Sequence, residues 1–259
     1  MKKILALILL LTNCAFAQKG LVYYGFIDAR GMGDANGPDS NAYLVFNKEQ
    51  SYYVTAKDSL ESEVSKTETK TFKNEGESGG LTIMGNKVSP QGDQVAYHIK
   101  KNTMWSNMFV LNQIYTKEVA PKINWKVSKE TKKIGKFTSK KATANFRGRD
   151  YTAWFTTEIS LPYGPWKLHG LPGLILEAYD TDKNLYWYFK SVEYPSKTKE
   201  TPKYMSMPKN NKWLNDTEFQ KKQQDIIKVT DDKNKIMSQK FSGVQFLPPK
   251  IEDMFLECE

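Results

Sequence analysis

Cysteine and histidine, the side chains that most often carry chemistry, are nearly missing: two of each in 259 residues. Long apolar runs are missing too. The longest, "ILALILLL" near the N-terminus, falls short of the roughly 18 apolar residues a membrane span needs. No His-Glu-x-x-His and no helix-turn-helix, zinc-finger or RNP-like pattern occurs. The chain therefore offers no recognised zinc-protease motif, and nucleic acid is not an expected partner.

What is present begins with the leader. Lys2 and Lys3 precede the apolar run, which ends in Ala15-Phe16-Ala17 before Gln18. That order predicts a secretory signal peptide over residues 1–17, cleaved after Ala17, and delivery to the periplasm or the outer envelope. The rival reading lipidates Cys14 in "LLTNC", but Asn13 stands where such a box wants a small residue. Cleavage leaves Cys258 as the lone thiol, so no internal disulfide forms and a packed core must stabilise the chain. At this length one domain, residues 18–259, buries roughly 70 to 75% of its unfolded surface. The formal charge of +9 reads as spread over wet strand faces, with attraction to anionic surfaces as a secondary consequence.

The dominant period along the chain is two. In "NLYWYFKSVEY" Leu185, Trp187 and Phe189 alternate with Tyr186, Tyr188 and Lys190, the pattern of a strand with one buried and one wet face. "AYLVFN", "SYYVTA", "QVAYHIK", "INWKVSKE", "RDYTAWFT" and "GLILEAY" repeat it between turn residues. The fold class expected is mainly β (α+β): a curved antiparallel sheet or open half-barrel with one C-terminal helix. The helix is predicted in "NDTEFQKKQQDIIKV", with Asn215 and Glu218 forming a capping box and Phe219, Ile226 and Val229 or Thr230 an apolar stripe. Residues 57–80, rich in Ser, Thr, Lys and Glu, read as a mobile surface insertion.

One corner stands out, "YGPWKLHGLPGLILEAYD", Tyr163 to Asp180. Leu171-Pro172-Gly173-Leu174 carries a type II turn signature, with Gly173 expected at positive φ. Leu174 to Tyr179 is apolar on both faces apart from Glu177, which predicts a central strand. The wider stretch "KKATANFRGRDYTAWFTTEISLPYGPWKLHGLPGLILEAYD" resembles the GLPGLI family, exported proteins of Bacteroidota without an established activity. The resemblance implies a scaffold role for Gly164, Pro165, Trp166, Gly170, Leu171, Pro172, Gly173, Leu174 and Ile175. It also implies a cysteine in the strand where this chain has Ser139, so a thiol role there is not expected.

Several chemical readings compete at this corner. His169 could serve a hydrolase with Glu177 as its acidic neighbour, but a lone histidine before a turn is more often structural, and the same holds for His98. Met104, Met108, Met205 and Met207 are soft donors that fill cores equally well, so neither metal nor cofactor is expected. "GMGDANG", residues 31–37, lacks the Lys-Ser/Thr ending of a phosphate loop. The chain's 6 Trp, 14 Tyr and 13 Phe suit a β core, and could also line a groove built from Trp154, Tyr163, Trp166 and His169. The expected function is non-enzymatic binding of a hydrophobic or polymeric ligand, or of an envelope protein partner. A structural or assembly role is the third alternative.

Overall fold

The computed structural model describes residues 19–32, 37–55, 92–203, 205, 211–240 and 246–258. The leader and the insertion expected over residues 57–80 lie outside them.

Among the described residues, eleven strands form one antiparallel sheet. The first half comprises β1 (Gly20–Asp28), β2 (Asp39–Phe46), β3 (Gln50–Thr55), β4 (Gln94–His98), β5 (Thr103–Val110) and β6 (Asn112–Val119). The second comprises β7 (Lys126–Ile134), β8 (Phe137–Phe146), β9 (Arg149–Thr156), β10 (Leu174–Asp180) and β11 (Leu185–Glu193). Their order across the sheet is β6-β5-β4-β3-β2-β1-β11-β10-β9-β8-β7. Each half is a meander of neighbours, and β1 joins β11 to fuse the halves, with Phe26 opposite Trp187.

This order forces curvature. Strands β6 and β7 occupy opposite edges yet are joined by residues 120–125 alone, a link that reaches at most about 25 Å. Eleven strands laid flat would span about 48 Å. The sheet therefore curls its edges toward each other without closing, as the sequence predicts. Alternation then sorts the side chains. Val22, Tyr24, Phe26, Leu44, Phe46 and Tyr53 enter the main core with Ala142, Tyr151, Leu176 and Trp187 from the other half, which makes that face the concave one. Leu21, Tyr43, Val45, Tyr52 and Val54 form a smaller cluster on the opposite face. Strand β10 is interior to the sheet, as its apolar composition requires.

Two helices follow the sheet. Helix α1 (Asp216–Lys240) starts with the reciprocal cap expected: the Glu218 N–H donates to Asn215 Oδ1 and the Asn215 N–H to Glu218 Oε2, both at 3.0 Å. Its buried stripe stops at Ile226, and Val229 is exposed. Phe219 and Ile226 pack with Met108, Ile114 and Phe255. The second helix, α2 (Ile251–Met254), is a single turn before the C-terminal tail. Neither helix is long and apolar enough to cross a membrane.

Candidate functional site

The segment between β9 and β10, residues 157–173, folds into the curl of the sheet and fills it. Ile159, Tyr163, Trp166, Leu168 and Leu171 are all buried in the main core. Backbone bonds stitch the segment to itself and to β10: the Gly170 N–H donates to Pro162 O at 3.0 Å, Leu174 to Ile159 O at 3.0 Å and Ile175 to Tyr163 O at 2.9 Å. Tyr24 donates its hydroxyl to the Ile175 carbonyl at 2.6 Å from the facing strand β1. This is how a long loop is buried without orphaning its amides.

The turn is not the one the sequence predicts. Gly173 does not adopt positive φ; its N–H donates to the Leu171 carbonyl at 2.8 Å, a three-residue turn around Pro172. Glycine is required for another reason, since a Cβ at Gly173 would lie 2.0 Å from the Thr156 carbonyl oxygen. Positive φ belongs instead to Gly170, at 89°, and to Trp166, at 53°. The two glycines should therefore respond differently to alanine. Gly170→Ala meets nothing within 4 Å and should cost about 1 kcal/mol through backbone strain alone. Gly173→Ala must push β10 off β9 and should cost about 2–3 kcal/mol. Urea unfolding of both variants measures this, and equal losses would refute the close-approach account.

The proposed groove residues are core residues here. Trp166 stacks on Trp187, with ring centroids 6.2 Å apart and planes 8° from parallel, and meets Phe146 edge-on. Tyr163 packs on Phe46 and Tyr97. Trp154 is buried with the Lys132 ammonium 4.4 Å above its ring. His169 is buried against Tyr97, and its Nδ1 lies 2.7 Å from the Lys167 carbonyl, so Nδ1 carries the proton. Burial pushes the His169 imidazole below its ordinary value and keeps it neutral at pH 7. Glu177 pairs with Lys132 at 2.7 Å. No hydrogen bond joins Glu177 to His169 among the described residues.

Met104 and Met108 are buried, Met205 packs on the outer cluster, and His98 is a buried strand residue whose Nδ1 accepts from the Lys101 N–H at 3.3 Å. Met207 lies outside the described residues. No group of three or more His, Cys, Asp or Glu side chains converges as a metal site among the described residues.

Sequence reasoning missed a buried ionic cluster beside the corner. Lys167, 1% exposed, sits 2.6 Å from Glu118 Oε1 and 2.6 Å from Glu257 Oε1. Arg147 pairs with the second oxygen of Glu118, with Asp216 at 2.7 Å and with Glu257 at 3.3 Å. Burial alone would depress the Lys167 ammonium, but Glu257 and Glu118 together raise it above its ordinary value. Next to it Arg149 pairs with Asp180 at 3.1 Å and donates to three carbonyls of the C-terminal segment. Glu118 comes from β6, Arg147 from the β8–β9 turn, Arg149 from the start of β9, Lys167 from the corner and Glu257 from the tail.

A second charged feature is the β7–β8 hairpin at the sheet edge. Residues 122–141 hold eight lysines and one acidic residue, Glu130, so the charge is less evenly spread than the sequence reading has it. Lys132 and Lys141 are paired, to Glu177 and Glu130. Lys122, Lys126, Lys129, Lys133, Lys136 and Lys140 are exposed and reach no carboxylate among the described residues.

The corner has a counterpart in one known family. Residues 147–177 match the model of a family described as "Protein of unknown function (Porph_ging)". This match holds Arg147, Arg149 and Lys167, three of the cations around the tail, together with the corner as far as Glu177. No curated protein matches the chain. Among solved structures, PNGF-II in space group P21 is similar over 83% of this chain at 16% identity with a TM-score of 0.49. PNGF-II in space group C2 is similar over 83% at 15% identity with a TM-score of 0.47. The chain spans 34% of the length of each.

Proposed function

We propose that the chain is an exported, non-enzymatic envelope protein that holds an anionic polymer on the lysine-rich edge of its sheet. One observation carries this reading: five exposed lysines without carboxylate partners among the described residues, Lys126, Lys129, Lys133, Lys136 and Lys140, lie on one two-stranded ribbon at the edge of the sheet, with Lys122 just before it. The opposite edge, β6, is met by Leu214, which exchanges backbone hydrogen bonds with Tyr115 and Lys117 at 2.9 and 3.0 Å. A polymeric ligand is favoured over a hydrophobic one because the aromatic candidates fill the interior and leave their faces to one another. Export rests on the leader read from residues 1–17.

Lysines on an edge strand also block edge-to-edge aggregation, so the test must separate the two roles. Lys126, Lys129, Lys133 and Lys140 are changed together to Glu, which keeps the edge charged but reverses its sign. Binding of the chain to heparin, an acidic polysaccharide probe, should fall at least about tenfold between low and physiological salt and vanish in the variant. Stability should change little, since the sites are exposed. Unchanged heparin binding in the variant, or none by the parent at low salt, would overturn the proposal.

A further inference from the structure

The tail after α2 adds no strand to the sheet, yet Phe255, Leu256 and Glu257 are buried. Side chains read its backbone. Arg149 donates to the carbonyls of Glu252, Phe255 (2.9 Å) and Leu256 (3.2 Å), Arg30 to Met254 (3.1 Å) and Gln223 to Glu257 (2.7 Å). A single backbone bond ties tail to sheet among the described residues, from the Cys258 N–H to the Arg147 carbonyl at 3.0 Å. That bond falls at Gly148, where φ is +74° and a Cβ would meet the Cys258 carbonyl at 2.7 Å. Contacts of this kind, to the turn of α2 and to the extended residues after it, read backbone whatever the sequence.

Selectivity comes from three tail side chains. Phe255 meets Phe219 of α1 edge-on at 6.2 Å, Leu256 enters the main core, and Glu257 faces Lys167 and Arg147. Buried ion pairs are seldom more stabilising than apolar residues of the same volume, so a cluster that only filled space would gain nothing from its charges. What charge adds is discrimination between occupants. The donors that hold the tail all lie outside it: Arg30, Arg147, Arg149, Lys167 and Gln223.

We infer that this cleft is a peptide-binding site, filled in cis by the chain's own C-terminus, that takes a short segment of the pattern aromatic, aliphatic, acidic. Arg30, Arg149 and Gln223 hold the ligand's carbonyls, and Lys167 with Arg147 holds its carboxylate.

The test uses the full chain with a protease site in place of residues 247–249, of which Leu247 and Pro248 are exposed. After folding and cleavage, residues 250–259 are held by the cleft alone. A fluorescent peptide of residues 250–259 should then enter saturably, and the same peptide carrying Glu257→Gln should bind at least tenfold more weakly. Leu256→Ala in the peptide should weaken it as well; because the changes are in the ligand, misfolding of the receptor does not confuse them. Far-UV circular dichroism follows the fold throughout. The inference is overturned if the cleaved segment stays and never exchanges, if its departure unfolds the sheet, or if a scrambled peptide binds as well.

Discussion

Lys167→Met is expected to lower the unfolding free energy by about 3–5 kcal/mol, because it strands two buried carboxylates. Glu118 and Glu257 are 10% and 3% exposed at the side chain, so neither recovers water when the ammonium is lost. Arg147 remains, but it is shared among Glu118, Glu257 and Asp216. The variant with Glu118→Gln and Glu257→Gln added should recover part of the loss, since the penalty belongs to the unpaired charges rather than to the missing methylenes. The sign of the pH dependence follows from the raised Lys167 value. A group whose folded pKa exceeds its unfolded one contributes fully below the unfolded value, about 10.4 for lysine, and loses that contribution as pH rises through the folded value. The Lys167 contribution to the difference between parent and variant should therefore be lost in strong alkali. Denaturant melts at several pH values measure it, and a loss under about 1 kcal/mol at pH 7 would mean that water reaches the cluster.

The same cluster shows where sequence reading stops. Glu118, Arg147, Lys167 and Glu257 come from four distant parts of the chain, and no local pattern links them. A faint signal existed in Lys167 itself, set between Trp166 and Leu168. Local features were legible because local physics decides them. The cap between Asn215 and Glu218 needs three residues of spacing, and the strand faces need only alternation. The eight lysines of residues 122–141 could be counted, yet only the pairing of β7 with β8, Lys132 opposite Ser139 and Thr131 opposite Lys140, gathers seven of them on one ribbon. Gly173 lies between the two cases. Its place in a turn is local, but its reason is the Thr156 carbonyl on the preceding strand, which no turn signature encodes.

Trp166 joins both kinds of information in one residue, and its replacement is the second large effect expected. Trp166→Ala should cost about 3–5 kcal/mol, the range for emptying a buried aromatic site. The ring is enclosed by Trp187, Phe146 and Tyr151, which other core contacts hold in place and which cannot collapse into the void. Its backbone adds a term of opposite sign. Trp166 holds a φ of 53°, a left-handed conformation that costs a side-chain-bearing residue roughly 1–2 kcal/mol and glycine almost nothing. Trp166→Gly should therefore be about 1 kcal/mol more stable than Trp166→Ala, although it removes one more carbon from the core. Ordinary burial arithmetic predicts the reverse order. Chemical unfolding of the two variants decides between them: alanine above glycine would show that the corner relaxes once the indole is gone, and that the ring, rather than the fold around it, imposes the strained backbone.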